Sequence, residues 1–124
     1  MELGKKRILL VEDEADISDL FETQLVAAGY KVTTASDGDE ALRILSLLKF
    51  DILVTDHKMP GKTTGLALAQ HALEKNPKMH IVLMSGNLEK SSCPEKVEFL
   101  SKPVEIQSLL DAVRANRTNP TTPS

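Results

Sequence analysis

Apolar residues gather in three short blocks along the chain: Arg7–Val11 (RILLV), Asp51–Thr55 (DILVT) and Ile81–Met84 (IVLM). Unbroken apolar runs of this length suit strands buried on both faces of a sheet. Two further blocks, Lys31–Ala35 (KVTTA) and Val97–Leu100 (VEFL), mix polar and apolar positions and read as edge strands. Between the blocks the period changes to that of a helix. Ile17, Leu20, Phe21, Leu25 and Ala28 form one stripe, with Gly29 placed to end it. Ala41, Ile44, Leu45 and Leu48 form a second, opened by Ser36-Asp37-Gly38. Leu66, Ala69, Ala72 and Leu73 form a third, closed by Asn76-Pro77, and Ile106, Leu109, Leu110 and Val113 form the last. All four stripes are expected to face the core.

Strand and helix alternate, which predicts an α/β fold: a doubly wound, five-stranded parallel sheet with helices on both faces. Polar second and fifth strands belong at the edges, giving the order 2-1-3-4-5. In that order strands 1 and 3 are neighbours, and a crevice opens beyond their C-terminal ends. Glu12 and Asp13 follow strand 1, and Asp56 ends strand 3. The order therefore converges three acids on one crevice.

Composition narrows the picture. The chain has 124 residues, enough for one domain and one core. A net charge of −3 offers no basic face, so no direct contact with nucleic acid is expected. Cys93 is the only cysteine, which excludes an internal disulfide, suits a reducing compartment and leaves a lone loop thiol. No apolar run approaches the roughly 20 residues of a membrane span, and the run near the N-terminus is too short for a signal peptide. The expected location is cytoplasmic, without membrane contact. Beyond Arg117 the sequence TNPTTPS lacks apolar residues, so a domain at 5–116 and a disordered tail at 117–124 are expected.

Each acid alone has an ordinary use, since Glu12 and Asp13 could serve the first helix N-terminus and Asp56 could cap a turn. Together they conflict. Two unit charges 4 Å apart repel by about 4 kcal/mol at an effective dielectric of about 20. Carboxylates so placed must protonate, separate or acquire a cation. A hard site of few carboxylates, with room for water and phosphate, suits Mg²⁺. Zinc is disfavoured because His57, His71 and His80 show no ligand spacing; these histidines are expected at the surface or behind the site. Ser85 at the tip of strand 4 could be a turn hydroxyl, and Lys102-Pro103 after strand 5 could be a helix start. Acids at tips 1 and 3, hydroxyl at tip 4 and lysine at tip 5 form a rarer set than any one of them.

VEDE after strand 1, VTDHKMPG at strand 3, MSG at strand 4 and FLSKP at strand 5 resemble the receiver domain of two-component response regulators, which have a flavodoxin-like (CheY-like) fold. The resemblance covers roughly residues 5–116. It implies that Asp56 accepts a phosphoryl group from a sensor histidine kinase or phosphotransfer protein. Glu12, Asp13, Asp56 and the main-chain carbonyl of Lys58 would hold Mg²⁺. Lys102 would neutralise phosphoryl charge, Ser85 would bind a phosphoryl oxygen, and Phe99 would be the switch aromatic. Lys58 and Asn87, each two residues past a site residue, would tune the phosphoryl lifetime. The downstream partner would be another protein. Beyond this self-catalysed transfer and dephosphorylation, no enzyme activity is implied.

Two departures qualify the resemblance. The loop MPGKTTG is one residue longer than usual. Only 16 residues separate Ser85 from Lys102, and Ser91, Ser92 and Pro94 interrupt any helical pattern there. The family's fourth helix is therefore expected to be shortened to a turn or two, or missing. Alternative readings fit less well. A dehalogenase-type hydrolase wants a second acid where Lys58 stands, and a dinucleotide-binding domain wants G-x-G-x-x-G where VEDEAD stands. A pseudo-receiver that only binds proteins remains the alternative.

Overall fold

The computed structural model of the chain describes residues 4–86 and 93–115. The strands are β1 (Arg7–Val11), β2 (Lys31–Ala35), β3 (Ile52–Asp56), β4 (His80–Ser85) and β5 (Val97–Ser101); the helices are α1 (Ala15–Ala27), α2 (Gly38–Leu47), α3 (Gly65–Lys75) and α4 (Ile106–Arg114). The sheet is wholly parallel and ordered β2-β1-β3-β4-β5, as expected.

Continuous apolar runs are needed because both faces of the sheet are covered. Leu9, Val11, Leu53, Ile81 and Leu83 point to one side, against Ala41 of α2 and Leu68, Ala69 and Ala72 of α3. Their alternates Ile8, Leu10, Ile52, Val54, Val82 and Met84 meet Phe21 and Leu25 of α1 and Leu109, Ala112 and Val113 of α4. The edge strands β2 and β5 are only partly buried.

Helix ends follow local chemistry. Asp37 caps α2 by accepting the Glu40 N–H, while the Glu40 carboxylate accepts the Ser36 N–H in return. α1 is stopped by Gly29, which follows the C-cap Ala28 and takes a φ of +106° in the left-handed region. The Tyr30 N–H reaches the Leu25 carbonyl and the Gly29 N–H the Val26 carbonyl, so the predicted stop holds.

Three expectations need correction. Leu20 is 49% exposed, because the buried face of α1 centres on Phe21, Leu25 and Ser18 and each residue step turns the helix by about 100°. Ala28 is likewise exposed, being the C-cap rather than part of the helix. Leu48 is 44% exposed, because α2 stops one residue before it. Among the described residues no helix lies between β4 and β5; residues 94–96 turn directly into β5. A helix of three turns needs about 11 residues, more than the six that remain, 87–92, which lie outside the described residues. The expected tail at 117–124 also lies outside them. No described helix is long and apolar enough to cross a membrane.

Candidate functional site

The C-terminal ends of four strands build the site. Val11 pairs with Thr55, so Glu12 leaves β1 beside Asp56 at the end of β3. On the other side Asp56 pairs with Met84 and Ser85 with Ser101. The Lys102 N–H donates to the Ser85 carbonyl at 3.0 Å, which extends the β4–β5 ladder one residue past β5. The Lys102–Pro103 peptide bond is cis, and α4 starts only at Ile106, so Pro103 does not open that helix.

These tips bring the predicted acids together. Carboxylate oxygens of Glu12, Asp13 and Asp56 all lie within 4.8 Å of one another. Asp56 and Glu12 are each 3% exposed, whereas Asp13 is exposed. The Lys102 ammonium meets Asp56 Oδ1 at 2.9 Å. Burial works against that ammonium, but the hydrogen bond to Asp56 and its charge, with Glu12 and Asp13 behind them, outweigh it and hold the amine above its ordinary value.

One lysine does not neutralise three acids. Glu12 accepts the Glu14 N–H through Oε2 at 3.1 Å, but its buried Oε1 has no hydrogen-bond partner among the described residues. Burial, with the Asp56 and Asp13 charges adding to it, pushes the Glu12 carboxyl up to about 7 against the pull of the Glu14 N–H and Lys102. A buried carboxylate oxygen left without a partner is costly. Facing two more carboxylates, it fits a hard divalent cation with oxygen ligands, as Mg²⁺ is. Zinc and its usual nitrogen or sulfur donors find no counterpart in this set.

The loop after Asp56 is held at its base. The His57 N–H donates to the Met84 carbonyl at 2.9 Å, and the His57 carbonyl accepts from Gly65 at 2.8 Å. The ring Nδ1 of His57 accepts the Leu66 N–H at 3.2 Å, and Thr64 caps α3 by accepting the Ala67 N–H. Gly65 is required because any Cβ there would run into the Asp56 carbonyl oxygen and lie 2.7 Å from the His57 Cα.

Of the other predicted residues, Ser85 is buried at the tip of β4 and Lys58 is exposed on the loop. Phe99 is half-buried on β5, opposite Leu83 and outside both apolar clusters. Asn87 lies outside the described residues. His80 corrects the expectation for the histidines: it is buried at the start of β4, at the other end of the sheet from the acids. Sequence reasoning missed three residues. His57 is a helix cap, signalled only by its place directly after Asp56. Gly65, the last residue of the loop MPGKTTG, gave no sign in the sequence of its close approach to Asp56. Asp39 accepts from Thr63 Oγ1 at 2.6 Å across 24 positions, and the extra loop residue was its only trace.

A family model described as "Response regulator receiver domain" matches residues 8–114. The chain is 34% identical over 113 residues to the response regulator receiver protein CpdR of Brucella abortus, covering 87% of this chain and 93% of that one. It is 38% identical over 94 residues to the transcriptional regulatory protein YrkP of Bacillus subtilis, covering 76% of this chain and 38% of that protein, so it spans well under half of that longer relative. Among solved structures it resembles a response regulator receiver protein from Sinorhizobium medicae, with a TM-score of 0.84 and 34% identity over 90% of this chain and 94% of that one.

Proposed function

The chain belongs to the receiver domains of response regulators, and on that premise we propose that residues 5–116 accept a phosphoryl group on Asp56 from a phosphohistidine. The observation that carries this reading is the buried Asp56 carboxylate, clustered with Glu12 and Asp13 and paired to Lys102 at 2.9 Å. Glu12, Asp13, Asp56 and the Lys58 carbonyl are the proposed Mg²⁺ ligands. Bound there, the ion would neutralise charge on the transferring phosphoryl oxygens.

The remaining chemistry falls to the chain itself. A carboxylate oxygen of Asp56 attacks phosphorus in line with the leaving imidazole nitrogen; the O–P bond forms as the N–P bond breaks. Rigid β3 holds the attacking group still, which lowers the entropic part of the barrier. The Lys102 ammonium passes from Asp56 Oδ1 to a phosphoryl oxygen. The Ser85 hydroxyl donates to another, drawing the start of the β4–β5 segment inward and favouring the inward turn of Phe99. Lys58 and Asn87, each two positions past a site residue in the sequence, set how readily water reaches the phosphoryl group. The donor is a sensor histidine kinase or phosphotransfer protein, the output a further protein, and the location cytoplasmic. The pseudo-receiver alternative finds no support in a site that keeps its acids, hydroxyl and lysine.

The test is labelling by acetyl phosphate with Mg²⁺, read by intact-mass spectrometry. Wild type should gain one phosphoryl group, and Asp56→Asn none. Equal labelling of both would reject Asp56 as acceptor.

A further inference from the structure

The extra residue in the loop between β3 and α3 has no role in the chemistry above. Its base is tied down at His57 and Gly65, but its tip is gripped by a different element. Thr63 Oγ1 donates to Asp39 Oδ1 at 2.6 Å, and the Lys62 N–H points to Asp39 Oδ2 at 3.5 Å. Asp39 sits in the first turn of α2, where Asp37 already provides the cap. Its carboxylate is thus available to the loop, and those hydrogen bonds, Thr63's foremost, hold it below its ordinary protonation range.

The two elements also fit each other sterically. A Cβ on Gly38 would lie 2.5 Å from the Thr63 carbonyl oxygen, so only glycine lets the loop come this close to α2. Gly61 takes a φ of +95°, and a Cβ there would lie 2.9 Å from Asp39 Oδ2. Two glycines and one acid therefore form a seat for the loop tip.

We propose that Asp39 is a positioning residue for the phosphoacceptor site: by gripping Lys62 and Thr63 it restrains the stretch 58–61 and favours the placement of the Lys58 carbonyl as a metal ligand. This inference rests on the phosphoacceptor reading. With His57 held at one end and Lys62 at the other, only four residues remain to be ordered when a cation binds. Ordering done in advance is not subtracted from binding. A loop freed at its tip is competent only part of the time, and the apparent dissociation constant rises by the inverse of that fraction.

The experiment is a Mg²⁺ titration of the full chain followed by backbone amide shifts at Asp56 and Lys58, with amide hydrogen exchange at 61–63 measured without metal. Asp39→Ala should weaken Mg²⁺ binding roughly threefold to tenfold and speed exchange at Lys62 and Thr63. Thr63→Val, which leaves the charge unchanged, should do much the same and carries the test if Asp39→Ala does not fold. Asp39→Asn removes the charge but keeps an acceptor for Thr63, and should recover most of the affinity. The double variant Asp39→Ala/Thr63→Val should be no worse than Asp39→Ala. Unchanged Mg²⁺ affinity in Asp39→Ala or Thr63→Val overturns the inference, as does an equal loss in Asp39→Asn and Asp39→Ala. If wild type itself shows no Mg²⁺-dependent shifts at Asp56 and no labelling, the phosphoacceptor reading falls instead.

Discussion

The two ends of the sheet use acidic residues in opposite ways. At the end where the strands begin, Asp51 Oδ2 accepts the Arg7 N–H at 2.8 Å, the Asp51 N–H reaches the Arg7 carbonyl at 2.9 Å, and the Asp51 carbonyl takes the His80 N–H at 3.1 Å. One residue thus joins β1, β3 and β4. Where the strands finish, Glu12, Asp13 and Asp56 crowd together, and a buried oxygen of Glu12 has no partner among the described residues. Acids at the first end hold the fold together; those at the second oppose it until something else neutralises them. Local satisfaction, not residue type, separates a structural acid from a functional one.

The comparison breaks most sharply at Asp56. Asp56→Asn should lose phosphoryl labelling entirely, whereas Asp51→Ala should keep it. Next comes the pH response of Glu12. The folded chain holds the Glu12 proton up to about 7, while the unfolded chain releases it near the ordinary 4.5. The Glu12 contribution to stability in the absence of metal should therefore be fully present below 4.5 and be lost as pH rises through about 7, by an amount on the order of 3 kcal/mol. Urea unfolding across that range should show the fall in wild type, its disappearance in Glu12→Gln, and its reduction at saturating Mg²⁺. A flat profile in wild type would mean that burial and the neighbouring acids do not raise the Glu12 carboxyl.

Ser85→Ala should still be labelled but lose about 1–3 kcal/mol of coupling between labelling and the conformational response. Phosphorylation-dependent amide shifts at Phe99 would report it, and an unchanged response would remove Ser85 from the switch. Smallest is Asp51→Ala, which should cost about 1 kcal/mol in urea unfolding without altering Mg²⁺ affinity. A weakened metal site in that variant would mean that the two ends are coupled after all.

What the sequence could reveal followed the period of its pattern. Apolar runs of β1, β3 and β4 could only be buried strands, and the residue ending each run had to lie at the rim. Glu12, Asp56 and Ser85 were legible for that reason. Leu20 misled because a stripe counted by spacing ignores where the buried face centres, and Ser18 took the place assigned to it. Leu48 misled because helix ends depend on local geometry rather than period. The grip of Asp39 on Thr63 joins residues 24 positions apart, between elements whose approach depends on the absent side chains of Gly38 and Gly61. No local pattern encodes such a contact.

The alternation of side chains along β3 has a further consequence. Leu53 faces α2 and α3, while Ile52 and Val54 face α1 and α4, and Asp56 follows in the same alternating series. Inserting one residue into β3 would invert this facing and carry the carboxylate about 3.3 Å along the strand. The greasy interior therefore acts as a vernier for Asp56, rejecting a slipped frame that would carry its carboxylate out of line with Glu12 and Lys102.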